Sequence, residues 1–386
     1  MLTRRSVLRS AAIAALVPLL SSCGNAGEIL RVVLLANSLP PQLLRSFRSN
    51  LGKEATLQLT AESQLQDLFK LLQVWEEESP SPESASRWFS RLRLPFSGKK
   101  TPATADLISL GHYWLSEAIE KQLIAPLEVE GLAGWKNLPE SMKELVQREG
   151  RFWGAPYRWG TTAIAYNRKR FEALGWTPTD WDDLWKPQLR DRISMIDEPR
   201  EVIGLVLKTL GHSYNEPEPA SMPQLKTALD EVHQHIRLYS SQAYLEPLII
   251  EDVWVAVGWS TDLVSVAKRY PDIETIVPRS GTALWADLWV QPAVSRSNSG
   301  TRSLIQRWIE FCWQEQAARQ ISRFTAATSP ILLSLERESL SSIISHHPLA
   351  LPDADIIDRS EFIVPLPSKS QQQYETLWKD MRGVSR

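Results

Sequence analysis

The nine residues Leu284-Trp-Ala-Asp-Leu-Trp-Val-Gln-Pro292 decide how the chain reads. In an extended strand successive side chains point to opposite faces, so Leu284, Ala286, Leu288 and Val290 share one side and Trp285, Asp287 and Trp289 the other. The first face is ordinary core. The second sets a carboxylate between two indoles, which has little structural use unless a cation sits against it, because an acid within an apolar strand is costly without a partner. Each indole, taken alone, reads equally as core.

Working outward, "VWVAVGWSTDLVSVAKRYP" (253–271) reads as a strand turning into a helix, and "TRSLIQRWIEFCWQEQAARQISRFT" (301–325) as one long amphipathic helix. Cys312 lies in the apolar part of that helix and is expected to be a buried, inert thiol. Towards the N-terminus "ILRVVLLA", "ATLQLTA" and "ADLISLG" are strands, each followed by a helical pattern; prolines open the first helix and Gly52 closes it. In the middle, Asp180 with Asp183 fits an N-cap and capping box, Asp197 fits a cap before the helix that carries Glu201, and "LKTALDEVHQHIRLYS" (225–240) reads as a helix with His233 and His235 on its surface. Strands alternating with helices imply an α/β fold. The Ser/Pro-rich stretch 76–104 is expected to be a surface loop.

With 386 residues the chain suits two lobes rather than one core. Its 43% hydrophobic and 23% charged residues are globular values, and 16 tryptophans are the outlier, which suits a binder that stacks rings on its ligand. The start, "MLTRRSVLRSAAIAALVPLLSSC", has a basic head, a short apolar run and small residues before a cysteine. Residues 1–22 are therefore expected to be a signal peptide, either general-secretory or twin-arginine. Leu20-Ser21-Ser22-Cys23 resembles a bacterial lipobox, which makes Cys23 the lipidation site and 23–27 a tether to the membrane. Losing 1–22 removes Arg4, Arg5 and Arg9 and no acid, so the mature chain is more acidic than its formal charge of −2. That excludes the basic stripe a nucleic-acid partner needs. No residue spacing calls for a metal or another cofactor.

The stretches "ADLISLGHYWLSEAIEKQLIAPL", "WGAPYRWGTTAIAYN", "WDDLWKPQLRDRISMIDEPREVIGLVLKTLGHSYN", "VAVGWSTD" and "TALWADLWVQPAV" resemble, in this order, the spermidine/putrescine-binding proteins of bacterial ABC importers. The resemblance implies a two-lobed periplasmic binding protein of type II with discontinuous lobes, 28–158 plus 283–386 and 159–282, hinged near 157–162 and 280–287. It implies a monomer that holds a polyamine such as spermidine or putrescine in the interlobe cleft and delivers it to a membrane permease. Trp285 and Asp287 would hold an amine, Trp259 would pack along the methylene chain, Glu201 would pair with an amine, and Tyr113 would line the cleft. Asp287 reads as a ligand group more readily than Glu201, which suits a solvated helix acid as well. One departure concerns the first strand: Leu35, Ala36, Asn37 and Ser38 stand where the family has an aromatic and acid-bearing segment, so a different amine or a non-amine solute also fits. No hydrolase motif is present, and the rival readings are a two-lobed scaffold or a hydrolase using Asp287 and Glu201.

Overall fold

A computed structural model describes residues 28–78, 103–295, 298–341 and 347–383. The signal peptide, Cys23, the tether and most of the 76–104 loop lie outside the described residues. Thirteen strands occur among those described: β1 Glu28–Leu35, β2 Ala55–Glu62, β3 Leu107–Gly111, β4 Ile124–Ala125, β5 Gln147–Arg148, β6 Arg151–Phe152, β7 Ala155–Asn167, β8 Ile193–Met195, β9 Ile236–Tyr239, β10 Val255–Trp259, β11 Ile273–Ile276, β12 Ala283–Pro292 and β13 Glu361–Phe362.

Hydrogen bonding runs through them in the order β2-β1-β3-β12-β7-β10-β8-β9; β4 and β13 also pair with β12, and β11 pairs with β7. The β1/β2, β1/β3, β8/β10 and β8/β9 pairs are parallel with helical crossovers, whereas β12 and β7 run antiparallel to each other. All thirteen residues of β7 are buried, as expected of a strand covered on both faces.

The core changes identity along these two strands. Tyr157 and Trp159 of β7 belong to a core with Leu30, Leu107, Trp289 and Trp308, while Ile164 and Tyr166 belong to a second with Ile193, Val255 and Ile203. The changeover falls on Gly160-Thr161-Thr162, and on β12 between Ala283, in the second core, and Leu284, in the first. The C-terminal helix Ser368–Met381 packs its Tyr374 and Met381 into the second core. The chain thus returns to the second core at its C-terminal end, where Arg200 stacks over the Tyr374 ring at 4.7 Å.

Several local expectations hold. Gly52 ends the helix Pro41–Leu51. Asp180 and Asp183 form the capping box on a 3-10 turn. Three expectations are corrected. Asp197 is not a cap: the residue before the helix Pro199–Thr209 is Glu198, with no side-chain cap bond, and Asp197 pairs at 2.9 Å with Arg382, the residue just past the end of the last helix. The helix expected over 225–240 stops at His233, because Ile236–Tyr239 is taken up as edge strand β9 against β8. The long helix of 301–325 breaks at Gln314, with ψ 139°, into Ser299–Trp313 and Glu315–Phe324. Trp313 anchors the break by donating its indole N–H to the Pro156 carbonyl at 2.6 Å, a buried tertiary bond with no trace in the local period. Cys312 is fully buried, and burial pushes its thiol far above the ordinary range, so it stays a neutral core residue. Among the described residues no helix is long and apolar enough to cross a membrane.

Candidate functional site

The strand register answers the question posed by the carboxylate between two indoles. Asp287 of β12 lies directly opposite Arg158 of β7, and the Arg158 Nε–H donates to Asp287 Oδ2 at 2.6 Å. The guanidinium carbon lies 5.8 Å from the centre of the Trp285 ring. The cation is therefore supplied by the chain itself. Asp287 is 1% exposed, and Arg158 is its partner in this structure. Burial raises the Asp287 carboxyl above its usual range against the opposing pull of Arg158, while a guanidinium stays protonated throughout. Trp289, the second indole, stacks on Tyr157 with ring centres 4.3 Å apart and meets Trp308 edge-on, so it is core. A register shift against β7 after Asp287 leaves Tyr157 as the extra residue, and its hydroxyl lies 2.9 Å from that of Ser109.

Trp285 is only half-buried. Its ring lies against Gly160, where a Cβ would run into the indole and into the Ser260 hydroxyl. Only a glycine admits so close an approach of ring to backbone. The indole N–H donates to Thr161 O at 3.3 Å, and the Thr161 N–H donates to Ser260 Oγ at 3.1 Å. The next residue of β7, Thr162, donates its hydroxyl to Glu201 Oε2 at 2.7 Å, and Trp259 donates its indole N–H to Glu201 Oε1 at 3.3 Å. Trp285, Trp259 and Glu201 thus meet at the core changeover on β7, bridged by Thr161, Thr162 and Ser260.

Glu201 sits in the first turn of its helix, where the dipole favours a carboxylate by about 0.3–1 kcal/mol. Desolvation outweighs that and both hydrogen bonds, and the carboxyl is pushed up to about 7. The neighbouring Arg200 is turned away, donating to Val364 O, Tyr214 O and Asn215 Oδ1. Glu201 consequently has two neutral donors and no ion-pair partner among the described residues, unlike Asp287. Tyr113 stands apart from these bonds, half-buried beside the second core and within the field of Arg200 and Glu198. His233 and His235 are half-buried, His233 stacking on Tyr239 at 5.8 Å.

Residues missed in the sequence complete the cluster. Arg158 was legible only with the register of β7 against β12. Asp262 accepts from the Tyr244 hydroxyl at 2.9 Å and lies in the field of Arg158, and Glu198 accepts from Ser241 Oγ at 3.2 Å; burial raises both carboxyls. His112 ties β3 to β12 and β13: Nδ1 accepts from the Ala286 N–H at 3.2 Å and Nε2 lies 2.9 Å from Ile363 O, which assigns the proton to Nε2. Burial lowers this imidazole to about 4. A separate cavity of about 800 Å³ is lined by Pro178, Val277, Arg337, Leu351, Asp353 and Ile356 among others and contains none of the candidate residues. Arg337 and Asp353 pair with each other in its wall at 3.1 Å.

Two α/β cores joined by strands that pass through both, with acids and indoles gathered at the junction, define a solute-binding architecture. The chain belongs to the family of bacterial extracellular solute-binding proteins, which it matches over residues 103–360. It is a binding component and not an enzyme. It is similar to the putrescine/cadaverine-binding protein of Pseudomonas aeruginosa, 24% identical over 279 residues, with 68% of this chain and 76% of that one covered. The spermidine/putrescine-binding periplasmic protein of Escherichia coli is 24% identical over 257 residues, covering 67% and 72%. Among solved structures, the spermidine/putrescine ABC transporter substrate-binding protein PotD of Streptococcus pneumoniae superposes with a TM-score of 0.77 at 20% identity, covering 92% of this chain and 99% of that one. The structural likeness establishes the periplasmic-binding-protein fold.

Proposed function

We propose that this protein is the periplasmic solute-binding component of an ABC importer, anchored through Cys23, and that it captures a cationic amine of the polyamine class where its two cores meet. Glu201 carries the reading: a buried carboxylate with two neutral donors and no cation is costly until an ammonium joins it. Trp259, already hydrogen-bonded to that carboxylate, and the half-exposed Trp285 offer ring faces to the methylene chain and the charge. Tyr113 lines the approach, and Asp287 contributes by holding Arg158 in place. The lobes are 28–158 with most of 283–366, and 159–282 with the C-terminal helix, hinged at Gly160-Thr161-Thr162 and around Thr282; closure about this hinge traps the solute before delivery to the permease. The relatives' names, which specify putrescine, cadaverine and spermidine, support the solute class.

The filling of Asp287 by Arg158 favours a second reading, a scaffold that has kept the fold without a ligand. Thermal denaturation with putrescine, cadaverine, spermidine, amino acids and sugars separates the two. A ligand at a hundredfold excess over its Kd adds about 2.7 kcal/mol of stability. A rise in melting temperature with amines alone supports capture, and no shift with any solute supports the scaffold.

A further inference from the structure

Two buried carboxylates lie on either side of the β7 changeover, and their needs differ. Glu201 has hydroxyl and indole donors only, whereas Asp287 has a guanidinium at 2.6 Å. That guanidinium is placed as a bound cation is placed in an aromatic and acidic subsite, with a carboxylate at one end and an indole face 5.8 Å away. It is fixed by covalent geometry: residues 158 and 287 are directly opposed in the ladder, and Gly160, two residues along β7, makes room for the Trp285 ring beside it. Asp262, the other acid in its field, is engaged by the Tyr244 hydroxyl.

We propose that Arg158 is a specificity-determining residue: it fills one of two cation positions from within, so the protein takes a solute through a single ammonium group at Glu201 and gains nothing from a second. This rests on the amine-binding reading above. An ammonium brought next to a buried guanidinium meets like charge with little water to screen it, and the Asp287 carboxylate is already paired with that guanidinium. A diamine therefore binds no better than the monoamine of the same length. Arg158→Ala empties the position, exposes Asp287 to the solute and creates a preference for two charges.

The test compares n-butylamine with diamines of three to five carbons by calorimetric titration of the wild-type protein, Arg158→Ala, and Arg158→Gln, which keeps a neutral donor for Asp287 should the alanine variant fail to fold. Wild type is expected to bind monoamine and best diamine within about threefold of each other, and each variant to favour the diamine by tenfold or more. Independently of the natural solute, methylguanidinium should raise the melting temperature of Arg158→Ala more than that of wild type, in which Glu201 but not Asp287 is open to it, with methylurea inactive on both. A wild type that already prefers diamines tenfold, or variants that gain no such preference, overturns the proposal while amine capture stands. Failure of wild type and variants to bind any amine overturns both.

Discussion

Replacing Asp287 by Asn keeps the shape of the side chain and removes its charge, which strands the Arg158 guanidinium in a site where its side chain is 8% exposed. Taking one partner from a buried ion pair costs about 3–5 kcal/mol, because the remaining charge has neither water nor counter-ion. Arg158→Met, which strands the carboxylate instead, should cost a similar amount. The double variant Arg158→Met/Asp287→Leu should recover most of the loss, since replacing a buried pair by apolar groups of similar volume is often neutral or better by about 1–4 kcal/mol. Urea denaturation gives the free energies of wild type and the three variants, and an unchanged m-value confirms that stability rather than compactness has moved. The losses should persist in high salt, which screens exposed pairs far more than buried ones. An Asp287→Asn variant within about 0.5 kcal/mol of wild type, on the scale of an ordinary surface substitution, refutes the pairing.

Two buried groups should give opposed pH dependences. The folded His112 value of about 4 lies below the ordinary 6.5, so its contribution is full above 6.5 and falls by about 3 kcal/mol as pH drops towards 4. Glu201 is raised from 4.5 to about 7, so the protein without solute is favoured below 4.5 and loses about the same amount as pH rises through 7. Relative to the wild-type profile between pH 4.5 and 7, His112→Gln should make stability fall more with rising pH, and Glu201→Gln should make it rise more, as urea titrations at several pH values would show. Gly160→Ala places a Cβ against the Trp285 ring and Ser260 and should cost about 1–3 kcal/mol with altered tryptophan fluorescence; an unchanged melting temperature and spectrum would show that the ring does not rest on that backbone.

The fold was legible because its signals are periodic and local. The β12 alternation, the apolar run of β1 and the capping box at Asp180 and Asp183 each follow from residue spacing. What escaped was long-range. The break at Gln314 depends on Trp313 reaching Pro156, and β9 exists because β8 offers it an edge. The site divides in the same way. Trp259, Glu201 and Trp285, which the family resemblance implied, converge through Thr162, Thr161 and Ser260. The pairing of Asp287 with Arg158 was not legible, because the two are 129 positions apart and opposite each other only in the folded ladder.

Glu201 as the receiver of an ammonium group is tested most directly by counting protons. An amine that pairs with a carboxylate poised at about 7 must draw it into the ionised form, so binding at pH 7 should release about half a proton. Titrating the protein with putrescine by calorimetry in buffers of different ionisation enthalpy measures that number. The expected result is release of about half a proton in wild type, with affinity rising from pH 6 to pH 8, and neither effect in Glu201→Gln together with a tenfold or greater loss of affinity. Equal affinity and equal proton release in wild type and Glu201→Gln would contradict the account.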